Sequence, residues 1–221
     1  MKAPYLAAAL ALVPSVVLAQ AAQPVALPAR TEGKVSVEKA LEGRRSLRKP
    51  TPEALSLAEL GQLCWAAQGT TDDKGHRTVP SAMATYPLEL YVLAGSVAGL
   101  APGLYRYQTG KHQLVLVRGG DVRAELVEKA IGQSWIAKAP AVFVVTGVSS
   151  RVAGKVKDER RAAQFVWQES GLAAQAFFME ATALGLGSTF VGGFKPEPTR
   201  HLLALPAGEE PLAVLPVGKR P

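Results

Sequence analysis

The sequence predicts an α+β domain. Apolar residues recur at helical spacing in several stretches, and short β-branched or aromatic runs separated by turn residues lie between them. The balance of 48% hydrophobic to 19% charged residues in a 221-residue chain is that of a globular protein with a sizeable core. The 21 Gly and 16 Pro together stay below the roughly 25–30% that marks a low-complexity chain. Cys64 has no cysteine to pair with, and one Cys with three His is too sparse a set for the usual zinc or iron–sulfur sites.

From the N-terminus, Lys2 precedes an apolar run from Tyr5 to Leu18 that is too short to cross a bilayer comfortably and ends among small residues. Residues 1–21 therefore read as a signal peptide, cleaved after Ala19 or Ala21, which implies a periplasmic or secreted product. No other stretch is long and apolar enough for a membrane-spanning helix. A single domain follows over residues 30–221. Residues 35–42 suggest a short helix, and Ser56 opens a second one with Leu57, Leu60, Leu63, Cys64 and Ala67 on one face and Gly69 at its end. Leu88–Ala94 reads as a strand. Gly103–Tyr107 and Gln113–Val117, joined through Thr109-Gly110, read as a hairpin. Val122–Ile131 has helical periodicity. Ala141–Thr146 is unbroken in its apolar character, as in a strand buried on both faces. A long helix from Asp158 to about Leu184 carries Phe165, Leu172, Ala176, Met179 and Ala183 as its apolar stripe and stops at Gly185; Leu212–Val217 forms a last strand.

The formal net charge is +7, and +6 once Lys2 is removed with the leader. The cations sit in compact groups at Arg44–Lys49, Arg151–Arg161 and Lys219-Arg220, without interleaved aromatics or a nucleic-acid-binding motif, so no nucleic-acid partner is expected. Clustered guanidiniums suit a small anionic ligand such as a phosphate. Three segments carry the functional expectation. In an extended stretch Arg44, Ser46 and Arg48 share one side. Arg77–Pro87 is a loop of small residues between prolines against which a flat ring could lie. Gly185–Phe194 is a glycine-rich passage whose amides could meet a heterocycle. Each also has a plainer reading: a solvated turn, a structural corner, and tight packing under a helix.

The order of these motifs resembles the FMN-dependent nitroreductases, and more narrowly the SagB-type (thiazole/oxazole) dehydrogenase branch. The resemblance rests on Arg44-Arg45-Ser46-Leu47-Arg48, on Leu57 to Gly69, on Arg77-Thr78-Val79-Pro80-Ser81-Ala82, on Pro102 to Tyr107, on Ala183 to Gly187 and on Val214 to Gly218. It implies a nitroreductase-like fold, a mostly antiparallel sheet flanked by helices, in a homodimer with FMN at the subunit interface. It implies further that Arg44, Arg45, Ser46 and Arg48 hold the phosphate, ribityl chain or pyrimidine edge, with Lys219 and Arg220 completing the phosphate site. Pro80, Ser81 and Met83 would approach the ring from the partner subunit, and Gly192 and Gly193 would present amides near it. The flavin would carry the chemistry, a ping-pong transfer of hydride or electrons to or from a small organic substrate with NAD(P)H as a candidate donor, so no catalytic side chain is required. A non-catalytic flavin- or ligand-binding dimer of the same fold is the alternative. One departure concerns the branch: Lys155-Val156 stands where its members often carry a Lys-Tyr pair.

Overall fold

The computed structural model describes residues 23–221; the expected signal peptide lies outside them. Seven strands form one sheet in the order β1-β4-β3-β2-β5-β7-β6, and every pairing between them is antiparallel. They are β1 (Val25–Ala26), β2 (Leu88–Ala94), β3 (Gly103–Gln108), β4 (Gln113–Gly119), β5 (Ala141–Val148), β6 (Leu186–Ser188) and β7 (Glu209–Lys219). β1 joins the sheet ahead of residue 30. The strand read as doubly buried is interior, between β2 and β7. Its Phe143 and Val145 enter one core and Val142 and Val144 the other.

Helices cover both faces. One face carries α1 (Val37–Gly43), α2 (Leu57–Gln68), α4 (Ser149–Ala153) and α5 (Glu159–Ala183); the other carries α3 (Arg123–Leu126) and α6 (Pro196–Leu203). The start of α2 is fixed by its sequence. The Ser56 hydroxyl accepts from the Glu59 amide while the Glu59 carboxylate accepts from the Ser56 amide, so two otherwise orphaned donors are satisfied. The helix expected over 122–131 is regular only to Leu126 and widens over Val127–Ile131, where the Gly132 amide reaches back to the Val127 carbonyl.

α5 runs from the Asp158 cap to the left-handed Gly185 as expected, but the phase of its buried stripe differs. The sheet-facing residues are Ala162, Val166, Glu169, Ser170, Ala173, Ala174, Phe177 and Ala181, and Leu172 is 48% exposed. Alanines line the buried side, so the larger side chains that dominate a periodicity count mark the neighbouring face instead. Burial pushes the Cys64 thiol up, which leaves it an inert part of the core under α2.

Candidate flavin site

The end of the molecule where β6 and β7 finish is built around two close backbone approaches. Ser46 bridges Ser188 in parallel, and the Leu47 amide donates to the Ser188 carbonyl at 3.0 Å. Leu47 lies so close to Gly187 that a Cβ there would stand 2.8 Å from Leu47 Cβ. Gly218 is equally confined, since its Cβ would come within 2.7 Å of Pro50. Glycines at these two positions let the extended segment Arg44–Pro50 lie flat against β6 and β7. The Thr189 hydroxyl, donating to the Leu47 carbonyl at 2.7 Å, fastens the crossing.

This places the expected cations at one edge in different states. Arg220 is fully engaged: its Nε donates to the Leu186 carbonyl at 2.9 Å, Nη1 to the Gly43 carbonyl at 3.1 Å and Nη2 to the Thr182 hydroxyl at 3.4 Å. Lys219 pairs with Glu53, and the hydrogen bond to that carboxylate raises its pKa. Arg45 turns back onto the carbonyls of Glu42 and Arg44. Arg44 and Arg48, by contrast, meet no acidic or carbonyl partner among the described residues, and Ser46 beside them is exposed. Two guanidiniums without counter-ions flank a free hydroxyl on one extended segment, a donor set that fits a phosphate.

Gly192 and Gly193 follow β6 on the same surface. Val191 exchanges both backbone hydrogen bonds with Val214. Val214 lies three positions before Val217, the partner of Ser188, which is about 10 Å at strand spacing. Both glycines are exposed, and their amides find no protein acceptor among the described residues. These amides stand about 10 Å beyond the arginine segment and, among the described residues, are left to donate to a ligand.

Pro80, Ser81 and Met83 lie elsewhere. Their loop feeds β2 at Leu88, opposite Gly147 on β5, whereas the arginine segment lies by Val217, opposite Ala141. Six residues of β5 separate the two, about 20 Å. α5 spans the same interval: Glu169 touches the loop at the Ala82 amide, and Thr182 touches Arg220. A groove of about 510 Å³ runs along α5 between them, walled by Trp65, Thr78, Ala176, Met179 and Ala183 and edged by Glu180.

The loop is strained. Met83, Ala84 and Tyr86 adopt φ of 53°, 52° and 45°, left-handed values that cost a side-chain-bearing residue about 1–2 kcal/mol each. Its turn is held locally by the Tyr86 amide on the Ser81 hydroxyl and the Thr85 hydroxyl on the Ala82 carbonyl, both at 2.9 Å. From outside, Arg151 donates to the Tyr86 carbonyl at 2.8 Å, and the Arg77 guanidinium lies 4.5 Å from the Tyr86 ring centre. Partial burial lowers the Arg77 pKa. Neither the backbone strain nor the Glu169 contact has a signature in the sequence.

The Nitroreductase family model matches residues 41–219, which include the arginine segment, the loop and the glycines. The chain belongs to the nitroreductase family. A nitroreductase homologue of Methanocaldococcus jannaschii is 38% identical over 186 residues, covering 84% of this chain and 92% of that protein. The crystal structure of a nitroreductase homologue from Ralstonia eutropha superposes with a TM-score of 0.78 at 26% identity, covering 96% of each chain. The trifolitoxin operon protein TfxC of Rhizobium leguminosarum bv. trifolii is 23% identical over 206 residues, 86% of this chain and 57% of TfxC. The expected α+β nitroreductase fold is thus present, and membership implies flavin-dependent oxidoreductase chemistry in general. Among the described residues no helix is long and apolar enough to cross a membrane.

Proposed function

We propose that this nitroreductase-family protein is an FMN-dependent oxidoreductase acting as a homodimer, in which each flavin site draws on both chains. The observation that carries the reading is the placement of its two halves at opposite ends of β5, about 20 Å apart along the strand, which keeps Arg44, Ser46 and Arg48 from meeting Pro80, Ser81 and Met83 within one chain. A second subunit brings the two together, and the exposed apolar residues Val37, Leu41, Met83, Trp167, Leu172 and Phe190 are surface of the kind such a contact buries.

When bound, FMN would supply a ring that accepts and returns hydride or electrons, with NAD(P)H the candidate donor and a small organic molecule the acceptor. Arg44 and Arg48 would hold the phosphate and Ser46 the adjoining hydroxyls, framed by Arg220 and Lys219. The amides of Gly192 and Gly193 would hydrogen-bond the ring edge, and positive charge nearby would favour its reduced, anionic form.

Within the family, the order of the motifs supports the SagB-type branch. Lys155 is exposed and is followed by Val156, so proton removal by a Lys-Tyr pair is not part of the proposal and azoline oxidation is not the expected reaction. The leader-like residues 1–21 support export, with FMN loaded outside the cytoplasm.

FMN titration followed by fluorescence quenching tests the reading. The wild-type protein should bind FMN, and the double variant Arg44→Ala/Arg48→Ala should bind it at least tenfold more weakly while melting at nearly the same temperature, since neither side chain is engaged in the fold. Equal affinity in both would remove these residues from the site. Supplying the loaded protein with excess NAD(P)H and a quinone or nitroaromatic acceptor separates an enzyme from a flavin carrier: the enzyme consumes donor and acceptor over many turnovers, and the carrier does not.

A further inference from the structure

Glu169 stands out on α5. It is 5% exposed, and it is the one charged side chain in the stripe that packs on the sheet, between Val166 and Ala173. Its carboxylate Oε1 accepts the Ala82 amide at 2.8 Å, and no cation pairs with it among the described residues. Glutamates are rarely buried unless they are paired or hydrogen-bonded, and the hydrogen bond this one makes is to a single backbone amide. What it holds is the first residue of the short turn Ala82–Ala84, directly before the left-handed Met83 and Ala84. The other contacts from outside the loop, Arg151 and Arg77, both act on Tyr86 at its far end. Ahead of the loop, Thr78 is tied to the Trp65 and Gly69 carbonyls and Val79 is buried; from Pro80 to Ala84 the Glu169 contact is the one hydrogen bond to the body of the protein among the described residues.

We infer that Glu169 is a positioning residue: from within the α5 core its carboxylate fixes the Ala82 amide and so holds the Pro80–Tyr86 loop in the strained shape that presents Ser81 and Met83 to the flavin. This rests on the flavin reading above. Strained backbone persists only where surroundings over-determine it, and a charge-assisted hydrogen bond from a rigid helix is a contact strong enough to do so. Because the same helix carries Thr182 at the arginine end, α5 joins through one rigid body the loop this chain would give to one flavin site and the arginine edge it would give to the other.

Three variants of the full chain test this: Glu169→Leu, which removes the acceptor; Glu169→Gln, which keeps an oxygen in the same place; and Ala82→Pro, which removes the donor without touching α5. Ser81 is already extended (φ −133°, ψ 138°), as a residue before proline requires. Amide hydrogen exchange of residues 80–87, measured without FMN, should accelerate at least tenfold in Glu169→Leu and Ala82→Pro, with exchange in β2 and the rest of α5 within about twofold of wild type. FMN should bind these two variants at least tenfold more weakly, Glu169→Gln should restore both readouts to within about threefold, and the double variant Glu169→Leu/Ala82→Pro should be no worse than either single one. Wild-type loop exchange in Ala82→Pro, or losses that multiply in the double variant, would overturn the inference. Ala82→Pro paired with Glu169→Gln decides the matter if Glu169→Leu does not fold. If wild-type protein binds no FMN, the functional reading fails while the exchange comparison still judges the anchoring role.

Discussion

The arginine edge and the Pro80–Tyr86 loop are built in opposite ways. At the edge the backbone is relaxed, two glycines permit close crossing, and Arg220 ties three elements together so that Arg44 and Arg48 need hold nothing. In the loop the backbone itself is strained, and its shape depends on a few side chains reaching in from α5, α4 and the preceding turn. The lesson is that charged groups can be kept available by a stiff frame, whereas a flat contact surface made of small residues has to be imposed on the chain from outside.

Breaking the frame should have the largest effect. Arg220→Met leaves the carbonyls of Leu186 and Gly43 without their donor and should cost about 2–4 kcal/mol in denaturant unfolding, with loss of FMN binding. A variant within about 0.5 kcal/mol of wild type would show that the edge does not depend on Arg220. Next, Gly187→Ala forces Leu47 away from β6 and should cost about 1–3 kcal/mol; because it shifts the arginine segment, flavin affinity should fall with it.

The loop should respond with the opposite sign. Ala84→Gly relieves a left-handed residue and should stabilise the fold by up to about 1 kcal/mol while weakening FMN binding, because the relaxed loop no longer presents one shape. A stabilised variant with tighter flavin binding would mean that the strain serves no purpose. The smallest effect belongs to Asp72, in the turn leading toward the loop. The hydrogen bond from His76 holds its carboxyl below the usual value of about 3.8. A depressed carboxylate adds stability that is present above that value and fades as pH falls through the lower folded one. Asp72→Asn should therefore melt slightly below wild type at pH 7, with the two curves converging in strong acid.

Much of this was legible in the sequence, and the reasons are specific. The helix start at Ser56, the unbroken Ala141–Thr146 run and the Asp158 and Gly185 boundaries each have a local signature that the structure bears out. β1 and β6 are two and three residues long, too short for periodicity, and exist because β4 and β7 offer them partners. α6 was hidden by the prolines at 196 and 198, which suit a helix start but read as loop. Arg44, Ser46 and Arg48 could be singled out because extended alternation is a local rule. Glu169 could not, since its role depends on a loop 87 residues away in the chain. The distance between the arginine segment and the Pro80–Tyr86 loop depends likewise on the strand order.

The most direct test of a site shared between two chains is complementation. One population carries Arg44→Ala/Arg48→Ala, the other a loop variant such as Ser81→Trp, and at an FMN concentration that saturates only the wild type neither should retain appreciable flavin alone. After the two are unfolded together and refolded, half of the dimers are mixed and each contains one intact site, so bound flavin should recover to about a quarter of the wild-type amount. A mixture that binds no more FMN than its separate components would contradict the account.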